Sequence, residues 1–477
     1  MPPELNIFAQ PRGSVTAPAG CGKTQLIADT LVEHQGDRPI LVLTHTNAGV
    51  TALKARLQRA RVSSSAYRLA TLDGFSMRLI RSFPMRSGHN PHVLELRNRG
   101  GDYPAIRNAA FQLIQAGHLN EILSATYSHL IVDEYQDCNI AQHNLVTALS
   151  AVLPTCVLGD PMQAIFGLAQ NVLVNWPVDV EPIFPSVGQL AHPWRWIRVG
   201  TEDLGNWLLE ARQTLQAGGS INLVERAPRE VEWIQLNAQN FQVAERQRVA
   251  AAGIAVERDQ TVLVIAKATN PQARHQISSQ IPGATVVETV ELLDLVAFAD
   301  RFDPAAEDSL QQLAAFATSV MTGVGQTNLL NRVRSIRNGR NENPPTPIEA
   351  MAVAYTNAPT MTAAVDLLRA FSEQDGSRVY RPEVFRCCLT AMRMAADGAA
   401  NFSEAAIQVR ERNRHLGRPL SRRSVGSTLL LKGLEADVVV LLYPELMTAQ
   451  NLYVALSRGA RRVCVCSTGP LLRPAPG

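Results

Sequence analysis

Short apolar runs alternate with amphipathic stretches through the first part of the chain. Pro39–Thr44, His129–Asp133 and Thr155–Gly159 are apolar and end in polar residues or glycine. That is the pattern of strands buried on both faces of a parallel sheet. Ser14-Val15-Thr16 predicts a shorter strand, and Gln25–Glu33 and Thr51–Arg61 carry helical spacing. Residues 82–127 break this rhythm. They hold Pro, Gly and Asn early, then a predicted helix over Pro104–Leu123. A further helix is expected within Gln189–Ala217, closed by Gly218-Gly219. Strand patterns resume at Thr261–Ile265 and return at Ser427–Leu431, Asp437–Leu442 and Arg462–Cys466. The intervening residues 300–420 are mostly Ala-rich amphipathic helix, punctuated by Asn341-Glu342-Asn343-Pro344-Pro345-Thr346-Pro347. The pattern predicts two α/β domains, each interrupted by a mainly helical insertion.

The length of 477 residues suggests about three domains. With 46% hydrophobic and 18% charged residues, the chain is globular, and a disordered or collagen-like chain is excluded. Lys and Arg exceed Asp and Glu by a net +3, so any nucleic-acid surface must be a local patch. None of the seven cysteines forms a C-x-x-C pair, so the ligand spacing of zinc or iron–sulfur sites is absent, and a reduced, cytoplasmic setting is expected. Neither a signal peptide nor a membrane-spanning run is predicted.

Candidate chemistry begins at Ala17-Pro18-Ala19-Gly20-Cys21-Gly22-Lys23-Thr24, between a strand and a helix. Gly20 and Gly22 let the backbone approach a polyphosphate, and the helix N-terminus favours the anion. Lys23 would reach the β- and γ-phosphates, and the Thr24 hydroxyl would hold Mg²⁺. Ala19, Gly20, Cys21, Gly22, Lys23, Thr24 and Gln25 are the candidate contacts to ATP. The bland alternative is a glycine-rich turn. Asp133-Glu134-Tyr135-Gln136-Asp137 ends an apolar strand. Its first carboxylate can hold Mg²⁺ and its second can take a proton from the attacking water. A solvated acidic loop is the other reading.

These motifs, with those downstream, resemble superfamily 1 DNA helicases of the UvrD/Rep/PcrA type. The series runs in order over nearly the whole chain: the phosphate loop, Leu43-Thr44-His45-Thr46-Asn47, Thr71-Leu72-Asp73-Gly74-Phe75 and Val132-Asp133-Glu134-Tyr135-Gln136-Asp137. Gly159-Asp160-Pro161-Met162-Gln163-Ala164-Ile165-Phe166, His192-Pro193-Trp194-Arg195-Trp196, Lys432-Gly433-Leu434-Glu435-Ala436-Asp437 and Tyr453-Val454-Ala455-Leu456-Ser457-Arg458-Gly459-Ala460 follow. The resemblance implies an α/β fold of two RecA-like P-loop domains. The first would span 1–81 and 128–190 with an insertion at 82–127. The second would span 191–299 and 421–477 with an insertion at 300–420. ATP would sit in the cleft between them. Asp133 is then the Mg²⁺ carboxylate, Glu134 the general base and Gln163 the γ-phosphate sensor. Arg195 and Arg458 are the arginine fingers. Trp194 would stack on adenine and Glu435 would contact the ribose. Gln10 would either read adenine or be a surface glutamine.

For DNA, the resemblance points to His45, Thr46, Asn47, Thr71 and Phe75, with Phe166 as a stacking platform. The family's stacking Trp after the Gln163 motif is Leu168 here, and its usual Phe is His45. Lys54, Arg56, Arg59 and Arg61 suit phosphate contact or form a solvated face. Arg332, Arg334, Arg337 and Arg340, then Arg410, Arg412, Arg414, Arg418, Arg422 and Arg423, form clusters for DNA, a protein partner or solvent. The expected activity is DNA-stimulated ATP hydrolysis with 3′-to-5′ movement on single-stranded DNA. The compact layout is similar to the helicase component of Gabija-type phage-defence systems, which implies a nuclease partner. The competing expectation is an ATP-gated DNA sensor in a nuclease complex with little or no unwinding.

Overall fold

The computed structural model describes residues 5–167, 172–340, 342–413 and 421–476. The chain divides into two units. The first is Met1–Val231 with Met447–Arg461 and Leu471–Gly477; the second is Glu232–Leu446 with Arg462–Pro470.

The first unit is built on β1 (Arg12–Thr16), β2 (Ile40–Thr44), β3 (Tyr67–Thr71), β4 (Leu130–Val132), β5 (Thr155–Gly159) and β6 (Ser186–Gln189). Their order is β3-β2-β4-β5-β1-β6, parallel throughout. Ile40, Leu41, Val42 and Leu43 are fully buried, as expected for a strand covered on both faces. Thr16 pairs with Gly159 and Leu43 with Val132, so the loops after β1, β2, β4 and β5 open along one edge. In such sheets the carboxyl ends of the strands are where ligands bind.

Helix α1 (Lys23–Glu33) follows β1, α2 (Asn47–Arg59) follows β2 and α3 (Leu72–Ser82) follows β3. Thr46 and Thr71 start α2 and α3 by accepting from the Gly49 and Gly74 N–H groups. The insertion is helical, with α4 (Arg99–Gln115) and α5 (Asn120–Thr126) where one helix was expected. The break comes at Gly117, which takes φ +75° and ends α4. Ile106, Leu113, Leu119 and Leu123 share a core with Leu79, Ile80 and Leu145, the last on α6 (Ile140–Ser150). The helix expected after Gln189 is α7 (Glu202–Gln216).

The second sheet contains β7 (Val231–Gln235), β8 (Val262–Ile265), β9 (Ala284–Val286), β10 (Arg423–Gly426), β11 (Ala436–Leu441) and β12 (Gly459–Ser467), in the order β9-β10-β8-β11-β12-β7. β9, β10, β8 and β11 run parallel. The expected α/β class therefore holds for both sheets. The strand expected at Ser427–Leu431 is instead a turn after β10. Leu431 N–H donates to the Ser427 carbonyl, and the Leu431 side chain folds back over Gly426. The apolar run caps the strand rather than extending it.

Among the described residues, six helices between Ser309 and Asn413 form a separate apolar core around Leu313, Phe316, Leu368, Phe371 and Ala391. Phe298 stacks on Phe316 with ring centroids 4.2 Å apart. Burying one such phenyl ring contributes about 1.5–3 kcal/mol.

Candidate nucleotide site and nucleic-acid contacts

The chain leaves β1 with the Ala17 N–H bonded to the Gly159 carbonyl at 2.8 Å. It then turns through Gly20 at φ +72° and Gly22 at φ +93°, a region that disfavours side chains. Close packing is a second reason for glycine. A Cβ on Gly20 would lie 2.5 Å from the Trp196 ring, and one on Gly22 would lie 3.0 Å from the Trp194 ring. The segment Trp194–Ile197 thus lies against the loop, with the Arg195 N–H donating to the Gly20 carbonyl at 3.1 Å. The Trp196 indole donates to the Gly459 carbonyl at 2.9 Å, which fixes the ring. Helix α1 begins at Lys23 with no side-chain cap, so its first amides face the loop's concavity.

Lys23 Nζ bridges Asp133 Oδ1 at 2.8 Å and Glu134 Oε1. The side chains of Lys23 and Asp133 are 14% and 9% exposed. Burial works against the Lys23 charge, but the two carboxylates outweigh it and hold its pKa above the usual range. Burial raises the pKa of Asp133, while Lys23 opposes that rise. Glu134 sits at φ +56°, a costly conformation for a residue with a side chain, and strain of this kind gathers at functional sites. Its Oε2 accepts from Gln136 Nε2 at 2.5 Å. Gln136 Oε1 in turn accepts from the Asp160 N–H at 3.1 Å. Gln163 Nε2 donates to Asp160 Oδ2 at 3.1 Å. Hydroxyl and carboxylate oxygens, from Thr24 and Asp133, are the donors a hard divalent cation such as Mg²⁺ takes, so the residues fit that ion.

The two candidate arginine fingers meet at Ser457. Arg195 Nη1 donates to the Ser457 carbonyl at 2.6 Å. Arg458 is buried, with Nη2 bonded to Ser457 Oγ at 3.0 Å and Nε to the Val454 carbonyl at 2.9 Å. Trp194 is partly exposed and stacks on His192 at 5.6 Å. Cys21 is buried beneath the loop, and Gln25 bonds Asp29 at 2.5 Å and Arg56. Gln10 is exposed before β1. Glu435 belongs to the second unit, exposed ahead of β11. Two contacts at the glycine loop and the Glu134 carboxylate are not visible in the sequence. One is the Gln136 tether. The other is Tyr453, whose hydroxyl accepts from the Ala19 N–H at 3.0 Å.

Among the nucleic-acid candidates, His45 and Phe166 lie together in a stacked arrangement with centroids 6.4 Å apart, both half-buried. Thr46 and Thr71 have hydroxyls engaged as helix caps, and Asn47 is exposed at the start of α2. Phe75 is a correction: it is 1% exposed, packed in the core against Tyr127, and presents no face to a base. Lys54, Arg59 and Arg61 are exposed, whereas Arg56 is half-buried on Gln25. Arg423 is a second correction: its guanidinium is buried on the Ala252 and Ile254 carbonyls. Arg422 bonds the Val256 and Glu257 carbonyls, and Arg332 pairs with Glu349. Leu168, Asn341, Arg414 and Arg418 lie outside the described residues.

Residues 6–168 match the AAA domain family model (AAA_19). The matched stretch takes in the glycine loop, Lys23, Asp133, Glu134 and Gln163. An ATP-dependent helicase/nuclease subunit of Oenococcus oeni is 34% identical over 67 residues, which are 14% of this chain and 6% of that relative. The chain therefore matches only a small part of it. Among solved structures, an arterivirus nonstructural protein 10 helicase in complex with DNA aligns over 97% of this chain and 61% of its own, at 9% identity and a TM-score of 0.37. Among the described residues, no helix is long and apolar enough to cross a membrane, and no group of His, Cys, Asp and Glu is placed to hold a metal by itself.

Proposed function

We propose that the chain is an ATP-dependent DNA helicase or translocase, in which DNA stimulates ATP hydrolysis and hydrolysis drives 3′-to-5′ movement on a single strand. The observation that carries this reading is Lys23 held between Asp133 and Glu134 at the mouth of the glycine loop. Lys23 exchanges those carboxylates for the β- and γ-phosphates, and the α1 amides take the remaining phosphate charge. Mg²⁺, held by Thr24 and Asp133, supplies charge neutralisation when bound. Glu134 accepts the proton of the attacking water, and its Gln136 tether keeps Oε2 in place. Arg195, beside Gly20, and Arg458 stabilise charge on the transferring phosphoryl group. Trp194 offers a face to adenine, and His45 with Phe166 offers one to a base. The likeness of 67 residues to part of a helicase/nuclease subunit supports a nuclease partner, and a role in phage defence belongs to the same proposal.

The test is phosphate release from ATP with and without single-stranded DNA, for the wild type and Lys23→Ala. The expected result is stimulation by DNA and a loss of about 10²-fold or more in the variant. Equal rates for the two proteins, or no hydrolysis by the wild type, would overturn the reading.

A further inference from the structure

Asp160 directly follows β5, is 1% exposed and forms an ion pair. Its partner is Arg212 of α7, 4% exposed, which gives both Nε at 3.0 Å and Nη2 at 2.7 Å to the same oxygen, Oδ1. Oδ1 also accepts from the Met162 N–H at 3.1 Å. Arg212 Nη1 is steadied by Gln216 Oε1 at 3.2 Å. The other carboxylate oxygen, Oδ2, is left to face Gln163 Nε2. A buried ion pair is often no more stabilising than an apolar pair of the same volume. Stability alone therefore accounts poorly for this one, at the edge of the sheet where the loops converge.

Orientation accounts for it. A carboxylate only accepts, so Gln163 must present its amide nitrogen to Asp160 and turn its carbonyl oxygen the other way. Arg212 occupies Oδ1 with two donors, which leaves Oδ2 on the side of Gln163 and keeps the carboxylate there ionised and acceptor-only. The Asp160 main chain is pinned to Gln136, which bonds Glu134. Gly159 must lack a side chain for this to fit, since a Cβ there would lie 2.6 Å from Gln136 Oε1 and 2.9 Å from the Trp176 ring. We propose that Arg212 is a positioning residue for ATP hydrolysis, acting through Asp160 on the amide of Gln163. The inference rests on the ATPase reading above.

A double-mutant cycle tests it, with kcat, KM for ATP and affinity for a non-hydrolysable ATP analogue measured on the full chain. Arg212→Met should lower kcat about 10–100-fold and leave KM and analogue affinity within about threefold. Added to Gln163→Ala, it should lower kcat no further, because both changes remove one function. Arg212→Lys should recover part of the loss. Arg212→Met leaves a buried carboxylate unpaired and can fail to fold. Arg212→Met with Asp160→Asn removes both charges. There the asparagine oxygen serves Met162 and its amide nitrogen donates to the Gln163 carbonyl oxygen, which reverses the Gln163 amide, and kcat should stay low in a folded protein. Multiplicative losses in the cycle, or wild-type kcat in any variant lacking Arg212, would overturn the inference while leaving the ATPase reading intact. A wild type without ATP hydrolysis would overturn both.

Discussion

The two sheets share an architecture and differ in how they treat the helix that follows a central strand. After β1, the loop turns on glycines and α1 starts without a side-chain cap. After β8, Asn270 caps the next helix by accepting from the Ala273 N–H at 2.9 Å, and Pro271 removes another donor. The first helix has no side-chain cap for its leading amides, and the second satisfies one of them with Asn270. The cations follow the same division. Lys23 rests between two carboxylates and retains some exposure. In the second unit, Arg274 ends on the Lys267 and Ala268 carbonyls and Arg423 on those of Ala252 and Ile254. Parallel sheets of this kind bind nothing by themselves. The cap and the glycine turn decide which one can hold an anion.

The sharpest way to test this division is to remove a structural cation from the second unit. Arg381 is 3% exposed, pairs with Glu288 at 2.6 Å and Asp294 at 2.7 Å, and ties the start of the helix Pro382–Ala396 to the end of β9. Arg381→Met leaves Glu288 buried and unpaired, at a cost of about 3–5 kcal/mol. Calorimetry should show the second unit's unfolding transition moving down, while titration of a non-hydrolysable ATP analogue gives an unchanged affinity. A weaker affinity would mean that the second unit's charge cluster also serves the nucleotide site.

Next in size is a pair of glycine substitutions with the same backbone angle. Gly20 and Gly283 both stand at φ +72°. Around Gly283 there is open space, so Gly283→Ala should cost only the backbone strain, about 1–2 kcal/mol. Gly20→Ala adds a collision with the Trp196 ring, which is fully buried and held by its indole bond. Its cost should reach about 2–4 kcal/mol, with nucleotide affinity falling as well. Equal stability losses by urea unfolding would show that the Trp196 contact yields easily, and that packing against the loop does not explain its glycines.

The division was legible in part from the sequence. The glycine loop and the Asp133-Glu134 pair declare themselves because their chemistry lies in neighbouring residues. The Tyr453 bond to Ala19 joins residues 434 positions apart, and nothing local marks it. The Arg212 pair is hidden for the same reason, since an arginine on an amphipathic helix reads as solvated. Phe75 is different, because its signal was present. Leu72, Phe75, Ser76, Leu79 and Ile80 form one buried stripe at helical spacing, which marks a core position whatever motif overlaps it. Ser427–Leu431 has strand composition, but the chain turns there because Ser427 closes a turn onto Leu431 and Gly426 leaves room for its side chain.

The smallest expected effect concerns pH and again separates the two units. His275 has its pKa pushed down to about 4 by burial and then by Arg381, with Arg274 adding to the fall and Glu288 and Asp294 opposing it. In the unfolded chain an imidazole titrates near 6.5. As pH falls below that value the unfolded state binds the proton first, so stability present at neutral pH is lost between about 6.5 and 4. Because His275 is partly exposed, the loss is discounted to about 1–2 kcal/mol. His143 and His129 in the first unit are also shifted down, mainly by burial, so that unit should weaken in the same direction. His275→Gln should flatten the pH dependence of the second unit's melting transition and leave that of the first. If both transitions keep their slopes, the acid sensitivity of the second unit lies elsewhere.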